Sequence, residues 1–554
     1  MVVMNDSPTR SVREQRPPIA PTALFLLLFL SVTATAADRP HVVMAFADDW
    51  GKYAGIYGQL EPGGINDLTR TPHFDAIARD GVLFTNAFVS APSCTPCRSS
   101  LMSGRPFYQC GKGSILSGAI WDFSIPSYPL LLQDNGYRIG HTYKVWSPGK
   151  PGDAPHGGKA NAFNSAGRRF NNFSQNATKE IERGLSVDQA KSKLLDEVRQ
   201  NIRSFLDADD DGVLDGDDPV CYFFGPTNTH RRWTVGSGKA LWAIDPDGLK
   251  GRLPAFLPDT PEIRRDMADY LGEVAAFDAS LEVLMQELRR VGIADDTLLV
   301  ISGDHGVPGV SRGKCNLYPH GTAVPMAVHW PAGIDTPGRV VTDFVSLPDL
   351  ATTFLQAAGV DPPDDMIAPS ILPLLQSDQS GRIEPQRDFA ITGRERHVES
   401  ARQGSLPYPH RAIQTDRYLA IINFAPDRSP MGDGPPRDAS PGEFPTAEAL
   451  EEDTRVAYAD YDASPTKSAI VALRNDYPLA FEMAFGNRPQ HELYDLQTDP
   501  DCMTNLAQSP AFEAVRTDLE TRLLDYLRQT NDPRLTDNPT FETGFYTRDE
   551  RPDW

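Results

Sequence analysis

Four short runs of β-branched and aromatic residues constrain this chain more than any other feature in it. "HVVMAFADDW" stops at Asp48-Asp49, and "YRIGHTYKVW" ends around Lys144. "VCYFFGPTNTHRRW" starts at Val220 and leads to Asn228, His230 and Arg231, and "DTLLVISGDHG" closes on Asp304-His305. Runs that are apolar almost without a break, rather than alternating, belong to strands buried on both faces, as in parallel or mixed sheets covered by helices. In such sheets the functional groups lie beyond the carboxyl ends of the strands. The four runs therefore deliver two carboxylates, an ammonium, an imidazole and an Asp-His pair to strand ends that can converge on one site.

Helices fill the intervals. Thr260 is suited to cap a helix whose first position is Pro261. Met267, Tyr270, Leu271, Val274, Phe277, Leu281, Leu284 and Leu288 then follow helical spacing and read as core. A second amphipathic helix is expected over 511–529. At 554 residues the chain is too long for one small core. A large domain is expected over 37–383. A smaller α+β domain over 384–554 is expected to hold a short antiparallel sheet, with strands near "RYLAIINF" and "HELYDL", and a helix. The Pro-, Gly- and Asp-rich stretch around 425–445 reads as loop.

The first 36 residues read as a targeting signal. Arg10, Arg13 and Arg16 precede the apolar run "ALFLLLFLSV", and Ala34-Thr35-Ala36 fits a cleavage site. The run is shorter than the roughly 20 residues of a membrane span. The expected product is exported, to a periplasmic, extracellular or lysosome-like compartment, with no stable membrane insertion after cleavage. A net charge of −22 argues against nucleic acid as a partner. An anionic substrate would need a local basic pocket. Six cysteines in so long a chain are no disulfide scaffold. Cys94 and Cys97 form a C-x-x-C, but no second close pair exists for a zinc ribbon, and the setting is not that of a small redox domain.

"CTPCRSSLMSGR", from Cys94 to Arg105, resembles the signature of the type I sulfatases, C-x-P-S-R-x-x-L-x-T-G-R. Cys97 stands where that signature has serine. The resemblance implies an alkaline-phosphatase-like α/β sandwich, with a large mixed sheet between helices. It also implies that Cys94 is oxidised to formylglycine by a separate maturation enzyme. An aldehyde hydrate carries two hydroxyls on one carbon: one attacks sulfur, the other later expels sulfate. Such an attack calls for a cation to lower the hydroxyl pKa. "CRSSLMSG" is expected to begin a helix whose N-terminus favours the anion. Arg98 would brace the nucleophile or its metal.

The same resemblance implies the rest of the site. Asp48 and Asp49 match the family's Asp-Asp pair, and Asp304-His305 its later Asp-Asn or Asp-His pair. With Cys94 they form a shell suited to Ca²⁺, with Mg²⁺ second. Lys144, in "YKVW", resembles the sulfate-contacting lysine of a G-K-x-x-H or G-K-x-H element. Here Tyr143 replaces the glycine, and Trp146 and Ser147 the histidine, for which His141 or His156 could substitute. His230 matches the histidine that contacts sulfate and protonates the leaving group. Lys314, in "SRGKCNLY", matches a further basic contact.

"FLPDTPEIRRDMADYLGEVAAFDASLEVLMQELRRVGIADDTLLVISGDHGVP" and "GKCNLYPHGTAVPMAVHWPAG" are similar to the N-sulfoglucosamine sulfohydrolases, the heparan N-sulfatase branch. The Asp-His pair and "KVWSPG" lean toward the iduronate sulfatases. The implied substrate is a sulfated carbohydrate, and cleavage of S–N or of S–O stays open because both use the same core machinery. Arg231 and, in "GRERHVESARQGSLPYPHRAIQTDRY", His397, Glu399 and Arg402 are candidate sugar contacts; a solvated charged loop is the alternative. A phosphonate or phosphodiester hydrolase of the same fold, or a non-catalytic glycan-binding protein, are the rival readings. Separately, "DADDDGVLDGDD" places Asp207, Asp209, Asp211, Asp215 and Asp218 at EF-hand-like positions. Either a second, structural Ca²⁺ or a plain acidic turn accounts for it.

Overall fold

The computed structural model describes residues 39–435, 443–536 and 540–542. The targeting signal expected over 1–36 and the tip of the Pro/Gly-rich loop lie outside the described residues. Among the described residues no helix is long and apolar enough to cross a membrane.

The large sheet is built from β1 (His41–Ala47), β2 (Val82–Phe84), β3 (Arg138–Tyr143), β4 (Val220–Gly225), β5 (Thr297–Gly303), β6 (Met326–His329) and β7 (Arg339–Val341). Its order is β3-β4-β1-β5-β6-β2-β7. The four strands that carry the apolar runs are neighbours and mutually parallel. Their carboxyl ends therefore share one edge. β6 runs antiparallel to both β5 and β2, which makes the sheet mixed.

The lack of alternation in these runs has its expected cause. Val43, Ala45, Tyr222, Phe224, Leu299 and Ile301 pack into one core. Their immediate neighbours Val42, Met44, Phe46, Phe223, Leu298 and Val300 pack into a second core on the opposite face.

The first core is covered by two long helices, α2 (Val187–Leu206) and α3 (Pro261–Arg290). Ser186 closes a capping box with Gln189 at the head of α2. The Thr260 hydroxyl accepts from the Ile263 N–H ahead of Pro261, as the sequence predicts for α3.

The C-terminal part carries a four-stranded antiparallel sheet, β8 (Phe389–Arg394), β9 (His410–Thr415), β10 (Tyr418–Asn423) and β11 (His491–Asp495), in that order. A helix over Glu513–Gln529 lays Leu519, Leu523 and Leu527 against Ile413, Ala420, Ile422 and Leu493. One part of this region behaves differently from the sequence reading. Three short helices at Ala447–Glu452, Pro465–Ala472 and Pro478–Phe485 put Leu450, Ile470, Val471 and Phe485 into the first core of the large sheet, not onto the small one.

Candidate active site

The signature segment forms α1 (Cys94–Ser103), between the second segment of the large sheet and β3. The helix begins at Cys94, earlier than the expected start near Cys97, with Pro96 in its first turn. The reason is physical: the first-turn N–H groups have no intrahelical partner, so proline loses nothing there. Gly104 ends the helix at φ +62, and a Cβ there would stand 3.2 Å from Met366 and 3.3 Å from Ala351. That conformation and that closeness are the reason for glycine in the signature. Cys97, one turn on, packs into the second core, and all six cysteines are unpaired.

β1 hands over to Asp48 and Asp49. Asp49 takes φ +63, which breaks strand alternation and lets both consecutive carboxylates serve one site. The turn is pinned on three sides. Asp49 N–H donates to Asp304 Oδ1 at 2.7 Å, the Thr229 hydroxyl to the Asp48 and Asp49 carbonyls at 3.1 and 2.8 Å, and Tyr270 OH to the Asp49 carbonyl at 3.2 Å. Tyr143 and Cys315, beside Lys144 and Lys314, also have positive φ. Uncommon backbone of this kind concentrates where side chains must be aimed.

Around Cys94 the groups converge. Cys94 Sγ lies 3.3 Å from His305 Nε2 and 3.8 Å from Asp49 Oδ1. His305 Nε2 lies 3.2 Å from Asp49 Oδ1 and 3.5 Å from Asp304 Oδ1. Arg98 donates from Nε to Asp304 Oδ2 at 2.9 Å and from one Nη to Asp48 Oδ1 at 3.2 Å. Its other Nη serves the Lys144 and Val145 carbonyls. Lys144 Nζ holds both Asp48 oxygens at 2.6 and 2.8 Å. Lys314 Nζ lies 3.1 Å from Asp49 Oδ2 and 3.4 Å from Asp462 Oδ2. All of these groups except the half-buried Asp462 are buried.

The electrostatics follow from that burial. Desolvation opposes the charge of Asp48, but Lys144 and Arg98 hold its carboxyl well below the usual carboxylate range. Desolvation pushes Asp304 up, against His305 and Arg98. It pushes the Cys94 thiol well up, against Lys144 and Lys314. A thiol held protonated in this way is a poor nucleophile as it stands.

The donor set fits a divalent cation. The ligand atoms of Asp49, Cys94 and His305 lie within 4.8 Å of one another, as do those of Asp48, Cys94 and Asp304. Carboxylate oxygens with one imidazole, spaced as the edges of a shell of about 2.3–2.6 Å radius, suit a hard ion.

The remaining expected contacts divide. His230 keeps Nδ1 on the Arg231 carbonyl at 2.6 Å, so Nε2 is the free nitrogen, 4.0 Å from Asp49 Oδ2 in a side chain 41% exposed. Arg231 is not placed to meet a substrate. Its guanidinium grips Asp266 of α3 with two bonds, at 2.8 and 2.7 Å, and its Nε serves the Pro308 carbonyl. Arg402 is likewise committed, to Asp460 and to the Ser429 and Pro430 carbonyls. His397 accepts or donates at Ser93 Oγ, 2.8 Å away, directly before Cys94. Burial holds its pKa down to about 3, so it is a neutral brace. Glu399 is buried beside it in sequence. Of the two readings of 397–402, the solvated charged loop does not hold, since His397, Glu399 and Arg402 are all buried.

In the acidic loop, Asp207, Asp209 and Asp215 offer oxygens within 4.8 Å of one another. Asp207 accepts from the Asp211 and Gly212 N–H groups and pairs with Arg290; Arg203 pairs with Asp210. Asp211 accepts from Val213 N–H, while Asp215 and Asp218 face Arg138. Sequence reasoning missed Asp462 and Thr229. Neither carries a local signal, because only the fold brings "YADYDASP" to Lys314 and Thr229 under the Asp48-Asp49 turn.

Two family models match the chain: Sulfatase over residues 40–360, and N-sulphoglucosamine sulphohydrolase, C-terminal, over residues 311–429. N-sulphoglucosamine sulphohydrolase of Homo sapiens is 28% identical over 539 residues, which is 93% of this chain and 94% of the relative. An ulvan-active sulfatase of Formosa agariphila is 23% identical over 512 residues, 91% of this chain and 83% of the relative. Among solved structures, a protein in complex with its substrate D-glucosamine-2-N,6-O-disulfate superimposes with TM-score 0.55 at 16% identity, covering 91% of this chain and 99% of its own. A phosphonate monoester hydrolase of Agrobacterium radiobacter gives TM-score 0.57 at 18% identity, covering 89% and 96%. At such identities these two superpositions show the fold, the alkaline-phosphatase-like sandwich expected from the signature.

Proposed function

The chain is a member of the sulfatase family, and on that premise we propose that it removes sulfate from a sulfated glycan, N-sulfoglucosamine of heparan type foremost, through an aldehyde made from Cys94. The observation that carries this is the buried meeting of Cys94, at the head of α1, with Asp48, Asp49, Asp304 and His305 between two ammonium groups. The choice of substrate rests on the human N-sulphoglucosamine sulphohydrolase, similar over nearly the whole chain, and on the matching C-terminal model.

In this reading Asp48, Asp49, Asp304 and His305 hold a Ca²⁺ ion. When bound, such an ion lowers the pKa of a neighbouring hydroxyl and polarises the sulfate. The chain's own groups do the rest. α1 presents its positive end to the anion. Lys144 and Lys314 supply charge for the sulfate oxygens, and Arg98 fixes the facing of Asp48 and Asp304. His230 carries a proton on Nε2 to the leaving nitrogen or oxygen.

The leaving-group role gives a sharp expectation. His230→Gln lowers kcat on a sugar sulfate by about 10²–10⁴-fold, yet slows an activated aryl sulfate far less, since its phenolate leaves unprotonated. Equal losses on both substrates would remove His230 from that role.

The same reading includes a maturation enzyme as partner, export by the first 36 residues, a functional division near residue 384 and, at Asp207–Asp218, a structural Ca²⁺ loop. The matured protein should be assayed side by side on N-sulfoglucosamine, O-sulfated hexosamine and uronate, and a phosphonate monoester. The expected order puts N-sulfoglucosamine first. Faster turnover of O-sulfates would move the assignment within the sulfatases, and faster turnover of the phosphonate would overturn it.

A further inference from the structure

Beside the site, the segment from His141 to Arg168 folds around a cleft of about 660 Å³. Lys144 lines it, so it adjoins the Cys94 centre. Its lining also holds Lys150, Lys159, Arg168 and the imidazoles of His141 and His156, and no carboxylate. For a chain of net charge −22 this is a marked local reversal of sign. Lys150, Lys159 and Arg168 are exposed. Among the described residues, no ion pair engages any of the three.

Two further observations point to a ligand. His156 is 2% exposed, and neither of its ring nitrogens has a hydrogen-bond partner; His141 Nδ1 has none either. The two rings stand 5.5 Å apart at a steep angle. Buried polar groups without partners are rare and call for an explanation. Burial keeps His156 neutral, with its pKa down to about 3. A neutral imidazole keeps one donor and one acceptor, so the cleft wall holds polar capacity that the protein does not use. The second observation is Phe123, 69% exposed. Its ring lies against Gly152 at the cleft, where a Cβ would stand 2.4 Å from the ring tip. An exposed aromatic face beside hydrogen-bonding and cationic groups is suited to the apolar face of a sugar ring.

We propose that this cleft is a second subsite, which binds the anionic sugar flanking the one that loses its sulfate. Lys150, Lys159 and Arg168 take its carboxylate or sulfate and Phe123 its ring, while His141 and His156 stand in the wall behind them. The inference rests on the glycan-sulfatase reading, but its test does not depend on turnover.

Binding of a sulfated tetrasaccharide is measured by calorimetry to the Cys94→Ser protein, with and without Lys159→Ala and Arg168→Ala. The double change weakens binding about tenfold, less so at high salt. Phe123→Ala weakens it independently of salt. A carboxyl-reduced tetrasaccharide distinguishes carboxylate from sulfate as the anion held. In the matured enzyme the same two lysine and arginine changes leave turnover of a monosaccharide sulfate unaltered, which also shows that the fold is intact. Unchanged tetrasaccharide affinity, or no affinity in the parent, overturns the subsite whatever the enzyme cleaves. A persisting tenfold difference in a protein that cleaves no sulfated sugar overturns the sulfatase reading and leaves the subsite standing.

Discussion

Cys94→Ala reduces sulfate hydrolysis by on the order of 10⁴–10⁶-fold while leaving the unfolding midpoint close to that of the parent. The side chain is small and sits at the first position of α1, where its loss removes one sulfur and no hydrogen bond that the helix depends on. Its chemical role has no substitute nearby. Cys97 is on the far side of the helix turn, inside the second core. Burial holds its thiol protonated. Cys94→Ser gives the same loss in protein matured by an enzyme that oxidises only a thiol, because an unoxidised hydroxyl carries no second oxygen with which to expel sulfate. A steady-state assay on a sugar sulfate, together with a thermal melt, checks both halves. Residual activity within tenfold of the parent would mean that Cys94 is not the source of the nucleophile.

Arg98→Ala has the largest expected effect on stability. The guanidinium is fully buried, bonded at once to Asp48, Asp304 and two backbone carbonyls, and it lies 4.9 Å from the Phe46 ring. Removing it leaves two buried carboxylates short of their countercharge, with Lys144 alone still reaching Asp48. Breaking such a buried network from one side costs about 3–5 kcal/mol. Arg98→Lys recovers only part of this, since one ammonium cannot bridge both carboxylates and two carbonyls. Urea unfolding of the three proteins measures it. A loss below about 1 kcal/mol for the alanine variant would show that water or a cation replaces the guanidinium at no cost.

Much of this architecture is legible in the chain because its signals are local. A doubly buried strand must be apolar without alternation, so β1, β3, β4 and β5 announce themselves, and each run stops where the polar ends begin. The proline after Thr260 and the spacing from Met267 to Leu288 mark α3 for the same reason. The signature around Cys94 names its own chemistry. What stays hidden is long-range. Nothing near Asp462 tells that it meets Lys314, more than a hundred residues earlier. Nothing near Arg231 or Arg402 tells that their carboxylate partners, Asp266 and Asp460, already occupy them. A charged residue in a loop reads as exposed until the fold supplies its counterion. The solvated alternative for 397–402 arises on that account. The short helices between 447 and 485 are hidden likewise, since their apolar faces do not say which core they enter.

The account turns on one atom-level event at Cys94, and one measurement reads it directly. The protein is made alongside a formylglycine-generating enzyme, digested, and the peptide that contains Cys94 is weighed. The account predicts an aldehyde or its hydrate at Cys94, with the sulfur of Cys97 retained. Two intact thiols, or a disulfide between them, in protein that nevertheless hydrolyses sulfate would contradict it.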